Sequence, residues 1–546
     1  MATAQPTTAA LKIPRGRKPN GDIDYLSLSF AELEAEAAAW QSVLREHGVQ
    51  RGDRVLVMVS QGLPLIASVF ALFSHGAVPV VIDPGMGRDA FLRCIKRTQP
   101  RALLGIPRAR FLSLIFRRAF RSVEIRILAS GRSTARCRQR GTAKLEVVTS
   151  APDELAAILF TSGSTGAPKG VCYQHGMFNA QVELIRTTYH IEPGEIDLPM
   201  LPIFALFNPA LGMTTIVPEI DPSRPAAVDP AKILQAITQE RVTNSFGSPT
   251  LWLKIARHCH STHRTLDSMK RVLSAGAPVP PELWQLMQPL LPHGELHSPY
   301  GATEALPVAS ISATTVLADT AAQTLQGAGT CVGPVIAGNQ VKIITLSDHA
   351  IAHLTDAQEL PSGKIGEIII SGPTATQTSD HLPEATARSK IPNPSDFNPK
   401  APAWHRMGDC GYLDDQQRLW FCGRAVERVE IANGLLFTEQ VEPAFNQHPQ
   451  VLRSALIGLG ERPFQRAAIA IEPHDPTILR SSKRCRSLGR ELRELTRHHP
   501  FASRVTLFYF HPGFPVDVRH NAKIHRLTLT DWAETAGTGL EIDPPK

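Results

Sequence analysis

Apolar and polar positions repeat with two periods along this chain, and the changes of period mark its elements. Residues 30–48, FAELEAEAAAWQSVLREHG, place apolar side chains at helical spacing and stop at Gly48, which predicts a helix. DRVLVMVS, 53–60, is a short apolar run of strand type, LPLIASVFALFSHG, 63–76, an apolar helix, and AVPVVIDPG, 77–85, a strand stopped by Pro84 and Gly85. Strand, helix, strand in series implies parallel sheets covered by helices, an α/β chain. Residues 378–403, TSDHLPEATARSKIPNPSDFNPKAPA, are rich in Pro, Ser and Asp and predict a surface loop. RLWFCG ends a strand near Gly423, after which a new series of helices and strands begins.

Composition narrows the class. At 546 residues the chain exceeds one core, and at roughly 100 to 200 residues per domain about three or four lobes are expected. It is 43% hydrophobic and 20% charged, with no apolar run of the roughly 20 residues that a membrane span needs. The opening MATAQPTTAALKIPRGRKPN has no apolar core behind a basic end, so neither a secretory signal nor a lipid anchor is expected and the compartment is cytoplasmic. Eight cysteines (94, 137, 172, 259, 331, 410, 422 and 485) form no CxxC pair, which fits reduced thiols filling core space.

Fifty-seven Lys and Arg against 50 Asp and Glu give a net charge of +7, concentrated in residues 108–140 and 480–499. Each stretch reads as a solvated helix face. In the first, Phe111, Leu112, Leu114, Ile115, Phe116 and Phe120 stand among arginines, which leaves open a surface for anionic lipid or another protein. Neither stretch belongs to a module that reads nucleic acid.

The stretch that carries chemistry is FTSGSTGAPKGV, 160–171. An apolar strand, 156–160, runs into small residues whose amides and hydroxyls can close around an anion, and Lys169 adds a point charge. A P-loop would need Gly, four residues, then Gly-Lys-Ser/Thr, and that spacing is missing.

FTSGSTGAPKGV resembles the phosphate-loop signature of the adenylate-forming superfamily of acyl-CoA ligases, luciferases and adenylation domains. Further matches follow in order: SAGAPV, 274–279; SPYGATE, 298–304; RMGDCGYLD, 406–414; CGRAVERVEIANGLLFTEQVE, 422–442; and FPVDVRHNAKIHR, 514–526. The resemblance implies a large N-terminal domain of layered sheets and helices, 1–423, and a small mobile α+β domain, 424–546, carrying Lys523. It implies ATP and Mg²⁺. Thr161, Ser162, Gly163, Ser164, Thr165, Gly166 and Lys169 would hold the β- and γ-phosphates; Thr303 and Glu304 would serve phosphate and metal, with Thr161 also a metal candidate. Gly276, Ala277 and Pro278 with Tyr300 and Gly301 would flank adenine, Asp409 would accept the ribose hydroxyls, Arg424 would reach ribose or phosphate, and Lys523 would bridge the carboxylate and the α-phosphate.

The departures point to one branch. Val426 and Glu427 stand where a charged pivot is usual, Ala205 follows LPIF where ligases that use coenzyme A commonly have His, and RHNAK replaces the usual Ser-Gly-Lys. These, with residues 204–230, resemble the olefin-biosynthesis β-lactone synthetases. That branch implies adenylation of a 2-alkyl-3-hydroxyalkanoic acid and ring closure by its own hydroxyl, an intramolecular attack that needs orientation rather than a second substrate. An acyl-CoA ligase and a non-catalytic nucleotide-binding scaffold are the alternatives. Apolar residues of 201–217 and 246–253 are candidates for the acyl groove, and His175, His297 and Glu304 for the proton acceptor. The resemblance also implies assembly with a hydrolase-like β-lactone decarboxylase and a reductase, with the 108–126 segment as a docking surface; the apolar residues among its arginines leave peripheral membrane association open.

Overall fold

The computed structural model describes residues 1–129, 144–161, 168–221, 227–393, 401–516, 523–535 and 537–542. The predicted first elements are present: helix Phe30–Glu46, strand Arg54–Met58, helix Leu63–His75 and strand Val78–Ile82. The first helix starts at a capping box, Glu32 N donating to Ser29 Oγ (3.2 Å) and Ser29 N to Glu32 Oε2 (2.7 Å), which satisfies two amides at its free end.

Four larger sheets organise the chain. One has six strands in the order Ile125–Leu128, Ala102–Gly105, Arg54–Met58, Val78–Ile82, Leu155–Thr161 and Lys169–Gln174; the first five are parallel and the last is antiparallel. An eight-stranded sheet runs from Ala305–Ser312 through Glu295–Ala302 and Arg271–Ser274 to the N-terminal hairpin Ala9–Arg17 and Ile23–Ser29. Its inner pairs are parallel, as the alternation predicts.

The expectation of parallel sheets fails over the third. Thr330–Pro334, Arg418–Arg424, Trp404–Leu413, Gly366–Ser371 and Gln340–Ile344 pair wholly antiparallel, because few helices separate them and neighbouring strands fold back on each other. The fourth sheet, Val451–Leu459, Arg466–Pro473, Leu507–Phe510 and Leu540–Glu541, belongs to the C-terminal part; two hydrophobic clusters there draw on residues between Val429 and Ile542, and another packs Phe437 on Cys410 and Cys422.

Of residues 378–403, 394–400 lie outside the described residues and the rest are not a plain surface loop. They hold helix Pro383–Ser389 and strand Lys390–Ile391, which pairs with Trp404–Leu413, and Asp380, Lys390 and Ile391 are buried. The Pro at the first turn starts the helix, and the apolar Ile391 joins Ile344, Ile369 and Trp404 in a small core. The cationic 108–140 stretch, of which 130–140 lie outside the described residues, is likewise divided: Pro107–Ile115 is helical, whereas Phe120 turns into the core. In the other cationic stretch, helix Ser482–Leu495 buries Cys485, Leu488 and Leu492 and leaves most of its arginines outside. Cys94, Cys259, Cys331, Cys410, Cys422 and Cys485 are buried free thiols.

Candidate functional site

The glycine- and hydroxyl-rich loop is the connection of a hairpin. Strand Leu155–Thr161 pairs antiparallel with Lys169–Gln174, and Thr161 lies opposite Lys169, so the register clamps both ends of the loop. Ser162, Gly163, Ser164, Thr165 and Gly166, with the Thr161 side chain, lie outside the described residues. Lys169 sits at the base of the hairpin and lines a cavity of about 1960 Å³. Gly170 must stay small, since a Cβ would stand 2.7 Å from the Phe160 ring, and its carbonyl accepts from Asp380 N (2.7 Å).

A second hairpin presents Thr303 and Glu304 to the same cavity. Ala302 pairs with Ala305 across strands Glu295–Ala302 and Ala305–Ser312, which leaves Thr303 and Glu304 as the turn. Gly301, also lining the cavity, lies so close to Ala305 that a Cβ would be 2.5 Å from its carbonyl oxygen. The Thr303 carbonyl accepts from the buried Tyr173 hydroxyl, and Glu304 O accepts from Thr376 N (2.8 Å). Among the described residues no donor reaches the Glu304 carboxylate.

Behind this turn stands a cation that sequence reasoning missed. The buried Lys390 ammonium donates to Thr376 O and, at 3.1 Å, to Thr376 Oγ1, so it braces the residue that holds Glu304. Burial lowers its pKa to about 7, with the Glu304 charge opposing that shift. His405, beside it, is held well below the ordinary imidazole range by burial and then by Lys390. The lysine's setting in a Pro- and Ser-rich stretch gave no sign of burial.

Asp409, Tyr300 and Arg424 form a third group. Asp409 faces Arg424 across an antiparallel pair; Arg424 Nη1 donates to Asp409 Oδ1 (2.7 Å) and Met407 O (3.2 Å), and the Tyr300 hydroxyl donates to Asp409 Oδ2 (2.6 Å). Burial, then the Asp409 charge, pushes the Tyr300 phenol well above its ordinary pKa. Arg424 and Gly276 line the cavity, whereas Tyr300, Asp409, Ala277 and Pro278 stand outside its wall. Each carboxylate oxygen keeps a further lone pair, so two hydroxyls can still be accepted.

Lys523 reaches the same cavity from the C-terminal part. Three residues on, Arg526 donates to Glu442 (2.7 and 2.6 Å) and Glu427 (3.0 Å), which ties the segment to the residues just after Arg424.

The rest of the cavity is largely apolar. Phe204, Phe207, Phe246, Val182, Leu201 and Leu306 form one wall, with Phe204 stacked on Phe246 at 3.7 Å between centroids. Of the 246–253 candidates, Leu251 and Trp252 are instead fully buried in the core, and Ala205 packs into the cluster around Val57 and Ile66. His175 lines the cavity; His297 does not, and lies edge-on to Tyr189. Gln181, another residue missed from sequence, lines it with Nε2 fixed on Leu306 O (3.0 Å) and a buried, unpartnered Oε1.

The profile of the AMP-binding enzyme family matches residues 3–378, and the chain belongs to that family. ATP is accordingly the nucleotide it uses, as an AMP-forming ligase. Over 542 residues it is 43% identical to the olefin beta-lactone synthetase of Xanthomonas campestris pv. campestris, covering 98% of this chain and 96% of that protein. The olefin beta-lactone synthetase of Stenotrophomonas maltophilia matches equally, 43% identical with 98% and 96% covered. The fold matches the ATP-bound crystal structure of MatB from Rhodopseudomonas palustris with a TM-score of 0.76 at 20% identity, covering 97% of this chain and 96% of that one.

Proposed function

We propose that this chain adenylates a long-chain 2-alkyl-3-hydroxyalkanoic acid with ATP and closes it to a β-lactone, releasing AMP and pyrophosphate, in bacterial long-chain olefin biosynthesis. The observation that carries this reading is one continuous cavity that joins Lys169, Glu304, Arg424 and Lys523 to long apolar walls. Relatedness over 98% of the chain to two olefin beta-lactone synthetases supports the choice of acid.

In the first step the acid's carboxylate attacks the α-phosphorus and pyrophosphate leaves. Lys169 and the 161–166 loop receive the β- and γ-phosphates, and Lys523 offsets charge between carboxylate and α-phosphate. Asp409, braced by Tyr300 and Arg424, takes the ribose hydroxyls. Gly276 and Gly301, at the cavity wall, flank adenine, with Ala277, Pro278 and Tyr300 behind them. Mg²⁺ is the implied metal, and Glu304 fits it: a carboxylate at the cavity wall that no donor among the described residues reaches is the oxygen ligand this ion takes beside phosphate, with Thr303 next to it. When bound, the metal supplies positive charge against the phosphate oxygens.

In the second step the 3-hydroxyl oxygen bonds to the acyl carbon, the acyl–phosphate bond breaks, AMP leaves with the electron pair, and the hydroxyl proton is lost. His175 and Glu304, both at the cavity wall, are the candidate acceptors of that proton. Holding both reactive groups in one bound molecule supplies the orientation that a bimolecular step would lack.

Residues 1–423 form the nucleotide- and acyl-binding unit and 424–546 the lid that brings Lys523, a division supported by the separate C-terminal cores. No helix among the described residues is long and apolar enough to cross a membrane. Phe111, Leu114 and Ile115 are 65%, 49% and 56% exposed among arginines, which favours peripheral association with anionic lipid from the cytoplasm, where the decarboxylase and reductase of the pathway would assemble.

Incubation with ATP, Mg²⁺ and a syn or anti 2-alkyl-3-hydroxy acid, with no thiol present, is expected to release AMP and yield the acid less one water. AMP formed only when coenzyme A is added would overturn ring closure.

A further inference from the structure

A sheet covered by helices is normally close-packed on both faces. On one face of the six-stranded sheet this holds: Leu56, Val80 and Ile158 lie in register across three neighbouring strands and are fully buried. One residue along, the side chains point to the other face. There Val81 and Leu159, opposite each other on interior strands, are only half-buried. Leu65, Phe70 and Phe73 of helix Leu63–His75 are half-buried as well. All five line the large cavity, whereas Ile66, Ala67, Ala71 and Leu72 of the same helix pack with Val55 and Val57 in a closed core.

The cavity is continuous with the reaction centre. Phe73 packs on Phe178 (5.6 Å between centroids), and Phe178 stacks on Tyr173 (5.0 Å), whose hydroxyl holds the Thr303 carbonyl. The cavity is also lined by Leu145, Val147 and Val148, of which Val148 N donates to Ser74 O (2.9 Å) and Val147 is exposed. Two polar side chains along it are satisfied by the protein: Gln61 Nε2 donates to Ile220 O (3.1 Å) and Ser74 Oγ to Ala71 O (3.0 Å). Ser150 keeps an unpartnered Oγ. An alkyl chain laid past Gln61 and Ser74 leaves these two donors paired.

Size argues the same way. Ordinary small-molecule sites span about 300 to 1,000 Å³. The cavity here has about 1960 Å³, room for a nucleotide site with more than one acyl branch. A distinct apolar wall, Phe204, Phe207 and Phe246, lies elsewhere in it and adjoins a further cavity of about 50 Å³.

We propose that the space between helix Leu63–His75 and the six-stranded sheet is a channel for one alkyl arm of the branched acid, the Phe204–Phe207–Phe246 wall holding the other. This rests on the β-lactone synthetase reading for the identity of the acid. The two-arm substrate therefore meets two separate chain sites that diverge from one reaction centre, and the enzyme measures each arm on its own.

The test uses three acids on the full chain: one with two arms of about ten carbons, and two in which one or the other arm is trimmed to methyl. AMP release and lactone yield are followed for wild type, Val81→Trp and Leu159→Trp; the second variant plugs the adjacent register position should the first not fold. In wild type, each trimmed acid should be the poorer substrate. In the plugged enzymes the kcat/KM ratio of the two-armed acid over the acid trimmed on the channel-bound arm should fall at least about tenfold, the loss of two buried methylenes, while the ratio over the other trimmed acid keeps its order. An unchanged ratio, or an equal fall for all three acids in a folded variant, overturns the channel. AMP without lactone in every wild-type reaction overturns ring closure instead, and the AMP ratios then still decide the channel.

Discussion

Two lysines line the nucleotide end of the cavity, and they are held differently. Lys169 is fixed by strand register opposite Thr161, whereas Lys523 comes from a segment anchored at the Val516–Ile524 bridge and at Arg526. A charge aimed at the α-phosphate acts mainly in the transition state, so Lys523→Ala should lower ATP–pyrophosphate exchange on the order of 10²-fold. Exchange at the wild-type rate would remove Lys523 from the chemistry. The motif residues were legible because their chemistry demands small or charged residues at fixed local spacing, as in Gly170 and Gly301, where a Cβ has no room. Lys390, Tyr173 and Gln181 carry no local signal; their roles come from partners 14 to 130 positions away.

At the level of elements, the final helix Arg526–Thr535 is docked by a charged group that the sequence did not announce. Arg526 meets Glu442 and Glu427, and Glu439 lies near them, accepting from Thr330 Oγ1 at 2.7 Å. Burial, then the Glu442 charge, raises the Glu439 carboxyl to about 7. The folded chain therefore holds a proton that the unfolded chain has released above the ordinary carboxyl range. Stability from this group is complete below about pH 4.5 and is lost as pH rises through about 7. Glu439→Gln keeps an acceptor for Thr330 and cannot titrate, so the melting temperature of wild type should fall relative to the variant between those limits. Parallel pH profiles would assign the titration elsewhere. The 378–403 stretch shows the opposite failure of sequence reading, where Pro and Ser suggested a loop and tertiary pairing with Trp404–Leu413 made a buried strand.

For the whole molecule, the exposed Phe111, Leu114 and Ile115 sit on the helix that also sends Arg108 and Leu112 to the cavity wall. Apolar tips among arginines suit an anionic bilayer. Replacing all three tips with Ser should cut co-sedimentation with phosphatidylglycerol vesicles several-fold, as should high salt, which screens the arginines. Undiminished recovery of the variant would make this helix plain surface. The sequence by itself determined the α/β elements of the first half, the adenylate-forming signatures and hence the chemistry of activation, because periodicity and anion-binding loops are local properties. Only the tertiary structure decided the antiparallel third sheet, the buried brace behind Glu304, the union of Asp409 with Tyr300 and Arg424, and the space beneath helix Leu63–His75. Each of these depends on how faces far apart in the chain meet, and whether two apolar faces close completely or leave a channel is a matter of packing.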